Sequence, residues 1–109
     1  MDGFVRGRLR DASDAPATGE LAEVVHAFGG AVVEQILSGS LEAPADYLQE
    51  QDEWVVVLAG GATLDVGGEA VELAAREWLF LPSGQPHRLV RTRPGTEWLA
   101  FHVHPRGAG

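Results

Sequence analysis

The apolar residues of this chain fall into short runs separated by glycine and proline, and the spacing within each run predicts its element. In ELAEVVHAFGG (20–30), Leu21, Val24, Val25 and Phe28 recur at i, i+3, i+4 and i+7. That is the single apolar stripe of a short helix, with Gly29-Gly30 as its stop. Past Gly30 the helical period is gone. AVVEQILSGS (31–40) is β-rich and ends in a Ser-Gly-Ser turn, and EWVVVLA (53–59) is the clearest strand. EWLFLP (77–82), HRLVRT (87–92) and TEWLAFHVH (96–104) complete the extended runs. LEAPADYLQEQD (41–52) is acidic and irregular, and Pro44 keeps it from being a central strand.

One hairpin specifies its own register. ATLDV (62–66) and EAVEL (69–73) are joined by Gly67-Gly68, a loop suited to positive φ at both positions. Pairing Val66 with Glu69 sets Leu64 opposite Val71 and Ala62 opposite Leu73, so one register sorts most apolar side chains onto one face. Seven or so short strands with Gly/Pro punctuation predict an all-β sandwich or barrel. The strand 53–59 is apolar on both faces, and an open sheet would leave one of them wet. A closed double-sheet barrel is therefore expected, with a second subunit over part of the outside.

Composition narrows the function. The 109 residues form one domain, read as an N-terminal strand, connector and helix (1–30) followed by a barrel (31–109). A formal charge of −8 argues against nucleic-acid partners and anionic membranes, and nothing resembles a signal peptide or a bilayer span. A cytoplasmic protein is the expectation. Cysteine and lysine are absent, which excludes thiolate metal sites, disulfides and Schiff bases. No nucleophile elbow occurs, and the Gly-rich stretch 60–68 is a hairpin without a lysine rather than a phosphate loop.

Two motifs carry a resemblance. Glu53 is followed by six residues and Gly60, and Pro82-Ser83-Gly84-Gln85-Pro86-His87 has the form Pro-x-Gly, two residues, His. In this order, with the Gly-Gly hairpin between them, they resemble the cupins over about residues 31–104. The resemblance implies an all-β fold, the cupin-type double-stranded β-helix or jelly-roll barrel, here with one short N-terminal helix. The chain departs from the pattern in three places. The glycine opening the second motif falls at Arg76, the closing asparagine at Arg91, and the usual His-x-His pair before Glu53 is missing. In its place stands Tyr47-Leu48-Gln49, similar to a subgroup of short bacterial cupins that read Tyr-x-Gln before Glu-Trp.

The resemblance implies that Glu53 and His87 converge on a divalent metal (Fe, Mn, Ni or Zn), with Gln49 and His102 as further donors. It also places Tyr47 with the substrate. His102 lies on a strand whose two faces, Trp98/Ala100/His102/His104 and Leu99/Phe101/Val103, are both apolar enough for burial, so its direction stays open. Arg91 shares parity with His87 and suits an anionic substrate; the alternative is an exposed, salt-bridged edge arginine. Two functions fit: a metal-dependent enzyme acting on a small polar molecule, or a non-catalytic small-molecule-binding or sensor cupin whose metal site has decayed. Finally, Trp54, Trp78 and Trp98 each follow a glutamate at a strand start. If the acids face inward, the rings face outward, which predicts a homodimer burying Trp54 and at least one other ring. The N-terminal FVRGRL is a candidate strand across that surface.

Overall fold

The computed structural model describes residues 3–41 and 43–103, and among these there are nine strands and one 3₁₀ turn, Ala12–Asp14. The strands are β1 (Glu20–Phe28), β2 (Ala31–Ser38), β3 (Ala45–Tyr47), β4 (Asp52–Ala59) and β5 (Gly61–Val66). They continue with β6 (Glu69–Ala74), β7 (Trp78–Leu81), β8 (His87–Thr92) and β9 (Thr96–Val103). All pairings between these strands are antiparallel. A five-stranded sheet runs β1-β2-β9-β4-β7, and a four-stranded sheet runs β3-β8-β5-β6.

The β5–β6 hairpin has the expected register, with Leu64 opposite Val71 and Ala62 opposite Leu73. Its loop glycines hold φ of +58° and +92°, the left-handed values a two-residue loop of this kind demands. Among the described residues of 41–51 the one strand is the three-residue β3, at a sheet edge, as Pro44 requires, and Asp52 already begins β4.

The helix expected over 20–28 is instead strand β1, paired along its length with β2. The register shifts between Val24 and His26, inserting one residue. Leu21 and Phe28, seven residues apart, would face opposite ways in an unbroken strand. The bulge restores them to one face and leaves an apolar spacing that imitates a helix. Gly29-Gly30, read as a helix stop, is a hairpin loop with both φ positive, like Gly67-Gly68. The segment 20–30 is thus part of the barrel and not an appendage. Residues 3–11 form no strand; Arg10 instead exchanges two main-chain hydrogen bonds with the Gln35 side chain on the outer face of β2.

The core lies between the sheets: Val55, Val57, Trp98 and Ala100 from the larger, and Ala62, Leu64, Leu73 and Leu89 from the smaller. Trp98 is buried here, with Nε1–H donating to Ser38 Oγ at 3.0 Å, so the expectation that all three tryptophans face outward fails for this one. Its glutamate, Glu97, takes the outer side, where Gln35 donates to it. Gly60, at the crossing from β4 to β5, has φ +84°, and a Cβ there would meet Thr96 Oγ1 at 2.4 Å. The motif glycine is therefore required twice over, by conformation and by space.

Candidate functional site

Alternation along the strands sends one residue in two between the sheets. On β4 these are Glu53, Val55 and Val57; on β9 they are Trp98, Ala100 and His102; on β2 they include Glu34 and Ile36. His87 and Leu89 point in from β8. Together with Tyr47 of β3 and Gln49 just beyond it, these residues line a cavity of about 250 Å³ between the sheets. Glu20 and Ala22 of β1 complete its edge.

Five of the residues singled out from sequence meet there: Tyr47, Gln49, Glu53, His87 and His102. The open question about β9 is resolved, since His102 faces the cavity. Arg91 does not reach it; it lines a separate cleft with Arg93, Glu72 and Glu77, and its guanidinium lies 3.4 Å from Thr63 Oγ1. The β8 register slips by one residue between Thr63 and Leu64, which breaks the parity that tied Arg91 to His87. Asp46 and Asp52, the aspartates nearest Gln49 in the chain, are engaged elsewhere: Asp46 pairs with Arg88, and Asp52 accepts from the Ser83 amide. His104 lies outside the described residues.

The centre of the site is a carboxylate between two imidazoles. His87 Nε2 stands 3.7 Å from Glu53 Oε1, and His102 Nε2 stands 3.6 Å from Glu53 Oε2 and 3.6 Å from Glu34 Oε1. These gaps are too wide for hydrogen bonds. The His87 tautomer follows from its other nitrogen. Nδ1 lies 3.0 Å from the Gln85 carbonyl oxygen, which can only accept, so Nδ1 carries the proton. In the neutral ring Nε2 then turns a lone pair towards an anionic oxygen. Such a facing pair is stable only with a cation or a proton between them. Burial pushes the Glu53 carboxyl above its ordinary range; His102 and then His87 draw it back, and Glu34 adds to the rise.

A metal would satisfy this donor set. Tetrahedral sites with donors about 2.0–2.1 Å from the ion have donor–donor edges of about 3.4 Å, close to the observed spacings. Gln49 Oε1 is buried without a hydrogen-bond partner, an orphan acceptor beside the same cavity. Among the described residues no group of three or more His, Asp or Glu side chains stands as a formed metal site. The donors are thus of the right type but must draw together slightly to coordinate an ion.

Sequence reasoning missed Glu34 and Glu20. Glu34 was detectable as the only carboxylate in AVVEQILS, at the same parity as Ile36. Glu20 was hidden by the helical reading of its segment. It accepts from Ser38 Oγ at 2.7 Å and from the Tyr47 hydroxyl at 3.4 Å, joining the edge strands of the two sheets. The Tyr47 ring stacks on His87 with centroids 5.5 Å apart. Burial first, and then the charge of Glu20, raise the Tyr47 phenol above its ordinary range and keep it protonated.

Comparison with known proteins gives a consistent picture. Residues 32–104 match the family model described as a cupin domain. A structure from Ralstonia eutropha, described as a "putative mannose-6-phosphate isomerase", is 29% identical, covers 91% of this chain and 100% of its own, and superposes with a TM-score of 0.78. KdgF from a Halomonas species is 16% identical over 81% of this chain and 82% of its own, with a TM-score of 0.67. A cupin superfamily protein from Desulfitobacterium hafniense is 14% identical over 96% and 98%, with a TM-score of 0.71. The last two likenesses show fold alone. No functionally curated protein matches the chain.

Proposed function

The chain belongs to the cupin domain family, and from that premise we propose that it binds a divalent metal ion inside the barrel and presents it to a small polar molecule. The observation that carries this reading is His87 Nε2, its lone pair fixed by the Nδ1–Gln85 contact and turned towards the Glu53 carboxylate. Glu53, His87 and His102 would hold the ion, and Gln49 supplies a further oxygen. Glu34, 3.6 Å from the same His102 Nε2, adds a second carboxylate beside the ion. Bound there, a divalent ion would polarise a carbonyl or acidify a water, the usual entry to hydrolytic, isomerising or oxygen-dependent chemistry. The protein's own residues supply the rest. Leu64, Leu81 and Leu89 keep one wall dry, and the Gln85 carbonyl holds His87 in its ligating tautomer. The description of the Ralstonia neighbour makes a hexose phosphate one candidate ligand. The second reading, a small-molecule-binding or sensor module without turnover, rests on the missing His-x-His pair.

Protein purified without chelator should carry one metal ion per chain, and His87→Ala and the milder His87→Gln should both lose it. Metal far below that level, unchanged in either variant, would defeat the reading. A thermal-shift screen of sugars, organic acids and metals separates the two functions: stabilisation by a ligand that needs no metal and is not turned over favours the module.

The reading extends to a two-fold homodimer. The outer face of the five-stranded sheet carries a row of registered neighbours, Val33, Phe101, Trp54 and Phe80, with Trp78 beside it. Trp54 packs on Phe101 edge-to-face and on Trp78, while Trp78 stays 60% and Phe80 49% exposed. An apolar patch of this kind suits a self-complementary interface. Light scattering should give twice the chain mass at micromolar concentration, and a monomer mass would end this part. A cytoplasmic location completes the reading; no helix among the described residues is long and apolar enough to cross a membrane.

A further inference from the structure

The Glu20 side of the cavity, reached from the His87–Glu53–His102 cluster across the Tyr47 ring that stacks on His87, has a polarity of its own. Its hydrogen bonds run in one direction. Trp98 Nε1–H donates to Ser38 Oγ, the Ser38 hydroxyl donates to Glu20 Oε2, and the Tyr47 hydroxyl points to Glu20 Oε1. The polar hydrogens of Trp98, Ser38 and Tyr47 are therefore all spent on neighbours. What remains for a ligand is lone pairs: those of the Glu20 carboxylate and of the Tyr47 oxygen. The rest of the cavity is weighted the same way, with Gln49 and His102 lining side chains that also carry N–H donors. Glu34 and Glu53 contribute carboxylates, and Gln49 holds a buried acceptor oxygen with no partner. No arginine or lysine is among the described residues that line it. Arg91 and Arg93 are collected in the separate cleft at the far end of β8 from His87.

From this arrangement we infer that the cavity selects a donor-rich, neutral or cationic small molecule, seated with a hydroxyl or ammonium group on Glu20 and Tyr47, and rejects phosphorylated and carboxylated ligands. The inference rests on the proposed metal site only for the opposite end of the ligand. A divalent ion does not reverse the balance, because three carboxylates line the cavity and two of them lie at the metal end. A phosphate entering it would leave one carboxylate, Glu20, facing like charge with only accepting oxygens around it. That geometry costs affinity, whereas an ammonium gains a charge-assisted hydrogen bond there. Tyr47 and Trp98 also line the cavity, and aromatic rings attract cations. The hexose-phosphate reading suggested by one neighbour's description is thus disfavoured for this chain, while the cupin fold and its metal chemistry are untouched.

Three probes with one scaffold separate the sources of affinity: D-glucose, D-glucosamine and D-glucose 6-phosphate, titrated calorimetrically into the full chain at neutral pH. The expected order is glucosamine tightest, glucose next, and the phosphate at least tenfold weaker than glucose. In Glu20→Gln the preference for amine over neutral sugar should collapse. A phosphate that binds as well as glucose would overturn the inference, as would an unchanged amine preference in Glu20→Gln or a failure of all three to bind. Metal content measured on the same samples reports on the other end of the cavity by itself. A metal-free protein that still ranks the probes by charge would retire the metal reading and keep this one. A metal-loaded protein that prefers the phosphate would do the reverse.

Discussion

The two sheets turn similar faces inward and different faces outward. Inside, both contribute buried aliphatics to one core and polar residues to one cavity: Glu34, Glu53 and His102 from the larger, Tyr47 and His87 from the smaller. Outside, the larger sheet presents Trp54, Trp78, Phe80 and Phe101, whereas the smaller presents Asp46 paired with Arg88, Thr63 beside Arg91, and Glu72. The inner faces are constrained by each other, because each side chain must fill space left by the opposite sheet. The outer faces, apart from Gln35 of β2 where Arg10 of the same chain is seated, answer to what lies beyond the chain. Under the proposed dimer, the apolar outer face of one sheet is the association surface and the charged face of the other is solvated.

Substitutions test this contrast in descending order of effect. Truncating the shared interior should cost most. Leu89→Ala, at a position 5% exposed on β8, is expected to lose about 2–5 kcal/mol in urea unfolding. Its outward neighbour Val90→Ala should change stability by less than about 0.5 kcal/mol. Equal losses at the two sites would mean that the smaller sheet is also covered on its outside. Next, Trp78→Ser should convert a dimer to a monomer in light scattering and remove the concentration dependence of the unfolding midpoint, with metal content unchanged. A dimer that survives it, and Trp54→Ser as well, does not use this face.

A smaller effect is expected where conformation and residue disagree. Arg76, in the turn that precedes β7, holds φ +77°, the left-handed region, at the position where the cupin pattern has glycine. Arg76→Gly should stabilise the protein by about 1 kcal/mol, and Arg76→Ala should not. A gain in both would point to the arginine side chain rather than its backbone.

The pH response of the interior has a definite sign. The Glu53 carboxyl is raised in the folded protein, chiefly by burial, so the folded state holds its proton to higher pH than the unfolded chain does. In metal-free protein the corresponding stability is fully present below the ordinary carboxyl range and is lost as pH rises through the folded value. Glu53→Gln should therefore stabilise metal-free protein at neutral pH, and the gain should vanish in acid. With metal present, the wild type should be the more stable of the two. Denaturation curves across pH with and without chelator decide this. The smallest effect belongs to the charged outer face: Arg88→Ala removes an exposed ion pair with Asp46, and the unfolding midpoint should not move.

Much of this molecule follows from local order in the chain. The alternation of ATLDV and EAVEL around Gly67-Gly68 specified a hairpin with its register, because only one register puts Ala62, Leu64, Val71 and Leu73 on a common side. Two motifs were enough to bring Glu53 and His87 together, since strand period fixes which way each residue leaves its own strand. What escaped was whatever depends on a residue inserted or a strand opposite. The bulge at Val24/His26 made a strand read as a helix and hid Glu20. The slip beside Thr63 turned Arg91 away from the cavity, and the pairing of β9 with both β2 and β4 sent Trp98 and His102 inward. Parity along a strand is a local property, but which parity is the inside is set by the partner sheet. The sequence by itself therefore determined most strands after residue 30, the β5–β6 hairpin and the convergence of Glu53 with His87. Only the tertiary structure decided the direction of β9, the carboxylates that surround the histidines, and the face left for another molecule.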